Sequence, residues 1–306
     1  MASFRLTKHV ACILLSVFAG VAVLDGGDAY AARASRATTR AAAKDGAYRV
    51  RAGRAQLFLP ADFRVVGGKY DVIVHFHGMP RAQEANVTAA GINAAVVTIN
   101  LGAVPSRYGK WYRSPKALDR ILAKTHRLVM QSGRAPRRAR IGRVALSAWS
   151  AGFGAVGAIM KHEKARARVD AVLLADGLHA PYVDKKRRII DESSLAKYAR
   201  LSEEAARGEK LFVMTHSAIE THGYANVTET VGTVLRLASL DLERQAPPPA
   251  APRNMRPLYR VDKGDFHVIG FEGRTARDHI DHIWAMGETM FPLLAARWQG
   301  APRNSV

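Results

Sequence analysis

Two kinds of apolar pattern alternate along the chain. In short runs nearly every residue is apolar or β-branched: Tyr70–Phe76 (YDVIVHF), Asn93–Leu101, Ile141–Ser147, Val169–Ala175, Lys210–Thr215 and Phe266–Phe271. Continuous apolar strands of this kind suit a parallel sheet covered on both faces. Tyr48–Val50 and Gln56–Leu59, the second closed by Pro60, predict two further short strands. Between the runs, apolar residues recur at helical spacing. Ser114–Gln131 carries Leu118, Ile121, Leu122, Leu128 and Val129, and Glu192–Arg207 and Val227–Leu240 are further helical stretches. Gly152–His162 predicts a helix of small residues. Thr275 is predicted to cap a last helix reaching to about Trp298, with Pro292 kinking or interrupting it. Gln245–Pro257 is proline-rich and reads as a loop. Strands alternating with helices predict an α/β sheet wound on both faces.

The first residues do not join this pattern. Arg5 and Lys8 precede an uncharged, mostly apolar run, Val10–Leu24, and small residues follow at Ala29 and Ala31. That order predicts a secretory signal peptide over residues 1–31, cut after Ala31. The run has 15 residues, short of the roughly 20 a membrane span needs. After cleavage the protein is expected to be secreted or periplasmic and not an integral membrane protein. Cys12 is the only cysteine and lies in the removed part, so no disulfide or thiol chemistry is expected. Residues 32–45 are small and basic and read as a disordered linker. Residues 46–300 read as a single domain and 301–306 as a tail.

The net charge is +20, with basic runs at Arg134–Arg143 and Lys185–Arg188. Such a surface attracts anionic polymers or lipid headgroups, here an anionic cell-envelope surface. No zinc-finger spacing, helix-turn-helix pattern or RNA-recognition aromatic motif is present, so nothing points to nucleic acid.

The strongest chemical signal is VALSAWSAGFGAVGA, Val144–Ala158. A buried strand runs into a tight turn and then into a helix of small residues. The turn fits G-x-S-x-G with Ala148 at the first glycine position and Gly152 at the second. Ser150 would project at the carboxyl end of the strand. The N–H of Ala151 would sit at a helix N-terminus, where it can meet an oxyanion. A second signal is His75-Phe76-His77-Gly78 at the end of a strand. Backbone N–H groups near Gly78 and Met79 are candidates for the other oxyanion donor, with His77 orienting the loop.

With these motifs the chain resembles the α/β-hydrolase superfamily, in its secreted serine esterase and lipase-like branch, over about Tyr48–Trp298. The resemblance implies an α/β-hydrolase fold, a mostly parallel sheet flanked by helices on both faces. It also implies a triad in the order Ser…Asp/Glu…His, because a serine hydroxyl is a weak nucleophile without a base. The histidine would come from Asp278-His279-Ile280-Asp281-His282. Both His279 and His282 are candidates, and His279 is preferred because it lies nearer the helix start. For the acid, Asp176 at a strand end competes with Glu220 after the next strand, and Asp176 is preferred. His179 and Trp149 are further cleft candidates. The implied activity is hydrolysis of a small-molecule or lipid ester through an acyl-serine, with no metal or organic cofactor.

Two other classes fit less of the sequence. His75, His77, His279 and His282 with Asp176, Asp278 or Asp281 could form a zinc-dependent hydrolase site, though no H-E-x-x-H pattern is present. A non-catalytic binder of envelope polyanions is the other, since this fold also hosts inactive proteins.

Overall fold

Strand pairing in the computed structural model joins ten strands among the described residues in one sheet, in the order Arg40–Ala42 (β1), Tyr48–Ala52 (β2), Ala55–Leu59 (β3), Ala94–Ile99 (β5), Lys69–Phe76 (β4), Arg140–Trp149 (β6), Ala171–Ala175 (β7), Leu211–His216 (β10), Phe266–Phe271 (β13) and Pro257–Lys263 (β12). The structure describes residues 40–42, 45–240, 245–246, 253 and 255–300. The expected signal peptide, its cut site, the tail, most of the linker and most of the proline-rich segment lie outside the described residues. Three residues of the expected 32–45 linker are paired in the sheet. Arg40–Ala42 (β1) pairs antiparallel with Tyr48–Ala52 (β2). Edge pairing uses backbone groups, so it does not need the large apolar side chains this stretch lacks.

The centre of the sheet is parallel. Lys69–Phe76 (β4) lies between Ala94–Ile99 (β5) and Arg140–Trp149 (β6), and Ala171–Ala175 (β7), Leu211–His216 (β10) and Phe266–Phe271 (β13) follow in parallel register. Ala55–Leu59 (β3) is antiparallel to both its neighbours. Pro257–Lys263 (β12) closes the far edge antiparallel to β13. The apolar pattern did not predict β12, because only alternate residues of this edge strand are buried. Pro257, expected in a loop, begins it; a proline at a strand's first residue costs no ladder bond there.

Successive side chains point to opposite faces, so each parallel strand feeds two cores. Val72, Val74, Leu146, Ala148, Val172 and Leu174 lie in one core. The helices Ala117–Gln131, Phe153–Met160, Ala196–Ala206 and Val227–Leu237 cover it. Ile73, Ala145, Ala171, Leu173 and Val213 lie in the other, against Ile283, Met286, Phe291 and Leu294. The expected C-terminal helix is three segments: Ala276–Trp284, Met286–Thr289 and Phe291–Gly300. Pro292 stands in the first turn of the last segment, where its missing N–H costs nothing. Thr275 caps the first segment reciprocally with Asp278. A three-stranded sheet, Ala180–Asp184 (β8), Ile189–Ile190 (β9) and Tyr224–Ala225 (β11), stands beyond β7 and β10. Among the described residues, no helix is long and apolar enough to cross a membrane.

Candidate active site

Strand β6 sits in the middle of the sheet, and its last residue, Trp149, leads straight into a single 3-10 turn, Ser150–Gly152. Ser150 has φ 49°, a left-handed conformation that costs a non-glycine residue of order 1 kcal/mol or more. A side chain on Gly152 would collide with the Phe76 carbonyl at the end of β4, so the second flank of the turn requires glycine. The first flank is different. Ala148 is buried in register with Phe76 and fits with its methyl group in place.

Two other non-glycine residues are left-handed at the ends of the strands on either side. His77 follows β4 with φ 69°, and Asp176 follows β7 with φ 40°. Strain thus collects at three adjacent strand ends, as at sites where function over-determines the backbone.

Asp176 is buried, and its two carboxylate oxygens are fully engaged. Ser217 donates its N–H to Oδ1 at 2.8 Å, and its hydroxyl lies 3.0 and 2.9 Å from Oδ1 and Oδ2. His279 Nδ1 lies 2.7 Å from Oδ2. Burial opposes ionisation of Asp176, but the imidazoles of His282 and His279 and the hydrogen bonds from His279 and Ser217 outweigh it. Its carboxyl is held well below the usual range. An ionised carboxylate only accepts, so His279 carries its proton on Nδ1 and presents Nε2 as an acceptor.

Trp149 ties His279 to the Ser150 turn. Its ring stacks on His279 at 4.6 Å and on His77 at 5.1 Å, and its Nε1–H donates to the His279 carbonyl at 2.9 Å. Among the described residues no hydrogen bond joins Ser150 to His279. His77 in turn is held by the Tyr108 hydroxyl at 3.1 Å, and burial lowers its pKa to about 4. Gly78 lies against Ile283 and Trp149, and its φ of 105° is one that favours glycine. Met79 is the N-cap of the helix Pro80–Ala89, and Ala151 is the second residue of the turn after β6. Helix starts leave backbone N–H groups without intrahelical partners, so both suit an oxyanion.

The remaining sequence candidates fall elsewhere. His282 is buried and its Nδ1 lies 3.0 Å from Thr215 Oγ1; burial first of all lowers its pKa to about 4, so it is neutral. Asp176 pairs with His279 and not with His282. Glu220 is exposed, and among the described residues nothing joins it to either histidine. His179 faces Phe153 and Tyr224 at 5.8 and 5.1 Å. The zinc alternative finds its ligands dispersed. His75 bonds Ser147 and the His77 carbonyl, Asp278 caps Thr275, and Asp281 meets Arg253. Among the described residues no group of three or more His, Cys, Asp or Glu gathers where it could hold a metal.

Sequence reasoning missed Ser217. Its signal was positional: β7 and β10 are in register up to Ala175 and Thr215, so the residues just past each strand face one another.

No protein-family model matches the chain, and no curated protein matches it in sequence. Solved structures similar to it include a feruloyl esterase module from Clostridium thermocellum, at 11% identity and TM-score 0.47, covering 88% of this chain and 90% of that one. A cold-adapted esterase from an Arctic intertidal metagenomic library is 9% identical with TM-score 0.40, over 81% of this chain and 96% of that one. A glucuronoyl esterase from Solibacter usitatus is 9% identical with TM-score 0.39, over 81% and 79%. The chain has the α/β-hydrolase fold. Its sheet has eight strands from β2 to β13, with β3 antiparallel to its neighbours and the serine turn after central β6. A shared fold says nothing of which bond is cleaved.

Proposed function

We propose that this chain is an exported serine hydrolase that cleaves a carboxylic ester through an acyl-serine intermediate. The observation that carries the reading is the 2.7 Å pairing of buried Asp176 with His279, whose ring stacks on the tryptophan that precedes a left-handed serine.

The Ser150 hydroxyl attacks the ester carbonyl carbon while His279 Nε2 takes its proton. Charge develops on the carbonyl oxygen, which meets the N–H groups of Ala151 and Met79, with Gly78 allowing the close approach. The alkoxide leaves with the proton held by His279, and the acyl group stays on Ser150. Water then repeats the steps: His279 takes its proton, the acid departs, and the serine is restored. Asp176 keeps the imidazole in the required tautomer and stabilises its charged form. Donors of the Ala151 and Met79 kind contribute about 3–4 kcal/mol each at the barrier.

The reading takes residues 1–31 as an export signal cut after Ala31 and the mature enzyme as periplasmic or secreted. N-terminal sequencing of protein recovered outside the cytoplasm tests that part. The catalytic part is tested with a fluorophosphonate probe and mass spectrometry, alongside an ester panel on wild type and Ser150→Ala. Label on Ser150 and loss of turnover in the variant are expected. An unlabelled Ser150, or a Ser150→Ala protein that turns esters over as before, would overturn the proposal.

A further inference from the structure

Seven large apolar residues are exposed among the described ones, and they are not scattered. Met79 follows β4 and Val104 follows β5, while Val183 and Ile189 lie on the hairpin that follows β7. Trp111 is 65% exposed, and its neighbour Tyr112 packs on Phe76, the last residue of β4. Leu258 lies at the start of β12, opposite the end of β13. Only Val66, in the turn ahead of β4, stands at the other end of the sheet. Six of the seven therefore lie at the carboxyl ends of the parallel strands, the side that carries Ser150, Asp176 and His279.

Exposed cations are interleaved with them. Arg81 is two residues past Met79. Arg107, Lys110 and Arg113 flank Trp111. Lys185, Lys186 and Arg187 form the tip of the β8–β9 hairpin. Strand alternation puts Val183 and Ile189 on the hairpin's outer face, because Tyr182 points inward to Glu229. Asp184 is occupied in the hairpin turn, accepting from the N–H groups of Lys186 and Arg187, and Arg188 is paired with Glu229. Glu220 is an exposed acid on the same side. The other basic run, Arg134–Arg143, leads into the start of β6 and lies at the opposite end of the sheet.

We infer that this face of the protein docks on an anionic lipid surface. Cations alone would serve any polyanion. A soluble polyanion gives no use to a protruding Val183, Ile189 and Trp111, whereas a bilayer takes such side chains at the headgroup level while Lys and Arg meet the phosphates. Neither signal suffices singly, and together they give reversible peripheral binding. Docked this way, the molecule turns the strand ends that carry Ser150 toward the membrane. Under the proposed hydrolase reading, the ester reaching that serine is then a lipid ester. The docking itself does not depend on that reading.

The experiment uses the full chain, with phosphatidylcholine vesicles containing or lacking phosphatidylglycerol. Because Val10–Leu24 could hold a vesicle by itself, the local reporter is Trp111 fluorescence, identified by its disappearance in Trp111→Phe. Expected results are a blue shift of the Trp111 emission with anionic vesicles only, weakened by salt. Binding should fall about fivefold for each hairpin cation neutralised (Lys185→Gln, Lys186→Gln or Arg187→Gln), from the roughly 1 kcal/mol that each such charge contributes at an anionic surface. Val183→Ser with Ile189→Ser should reduce the shift while leaving thermal stability unchanged. Ser150→Ala should bind as wild type, which separates a failure of docking from a failure of catalysis. An unshifted Trp111 with anionic vesicles overturns the inference. So does salt-sensitive binding to soluble polyphosphate that matches the vesicle affinity and ignores Val183 and Ile189.

Discussion

Gly177 lies directly on the backbone of Ser150: a β-carbon there would come within 2.5 Å of both the Ser150 nitrogen and its carbonyl oxygen. The contact joins the proposed acid and the proposed nucleophile, since Gly177 follows Asp176 in the chain. Replacing it with alanine would push two backbone segments apart, and neither can yield as a flexible side chain would. Gly177→Ala should cost about 1–3 kcal/mol of stability by overpacking. It should lower kcat by about a hundredfold or more, because misplacement near 1 Å is enough for that. Urea unfolding and ester turnover on the same sample check both. Turnover near wild type in a stable Gly177→Ala protein would mean that the Asp176 turn does not position Ser150.

Ser217 is the second link to Asp176. Its N–H and hydroxyl both reach Asp176, and Ser217→Ala removes only the hydroxyl. Part of a buried carboxylate then goes unsatisfied, at about 1–3 kcal/mol. Turnover should fall about tenfold, the equivalent of about 1.4 kcal/mol at the barrier. Ser217→Thr, which restores a hydroxyl, should recover most of it. Equal loss in both variants would place the effect in packing and not in the hydrogen bond.

What could be read from the sequence follows from what each feature depends on. The central strands and the serine turn are set by local pattern: β-branched runs, and small residues where the chain must turn sharply. They stand close to where the pattern put them, β6 at Arg140–Trp149 against an expected Ile141–Ser147. The α/β arrangement followed from their alternation with helices. The edge strand β12 and the β8–β9 hairpin are half-exposed and carry no continuous apolar run, so nothing in their composition set them apart. The pairing of Asp176 with His279 spans 103 positions and depends on the register of the strands, which spacing along the chain does not encode. Hence the sequence left His279 against His282 and Asp176 against Glu220 open. Ser217 and Gly177 act through that same register.

The two C-terminal histidines should separate cleanly on substitution. His279 holds Asp176, while His282 is buried against Thr215 and Phe271, with its Nε2 lacking a partner among the described residues. Removing a general base of the His279 kind costs about 10³-fold or more. His279→Ala should lose that much kcat, with about 1–3 kcal/mol of stability lost as Asp176 gives up its imidazole partner. His282→Ala should lose about 2 kcal/mol or more of stability to the cavity it leaves, and less than about tenfold in kcat. Circular dichroism melts and single-turnover assays on both variants decide the matter. A His282→Ala protein that melts like wild type but is inactive would make His282 the base.

Acid should destabilise the fold through buried imidazoles rather than carboxylates. Burial lowers the pKa of His75 from 6.5 to about 3 and those of His77 and His282 to about 4. His179 is lowered as well, again by burial first. The geometry of His75 agrees: the His77 carbonyl can only accept, so Nε2 carries the proton and Nδ1 accepts from Ser147, leaving no room for a second proton. Between pH 6.5 and about 4 the unfolded chain binds protons at these sites that the native chain does not. Native stability is therefore fully present above pH 6.5 and is lost as pH falls toward 4. Each such histidine contributes about 1.4 kcal/mol per pH unit in mid-window, so His75, His77 and His282 together give roughly 4 kcal/mol per unit. Urea unfolding at successive pH values should trace that slope, and His282→Asn should flatten it by about a third. A stability constant from pH 7 to 5 would mean that these imidazoles are not held neutral in the native protein.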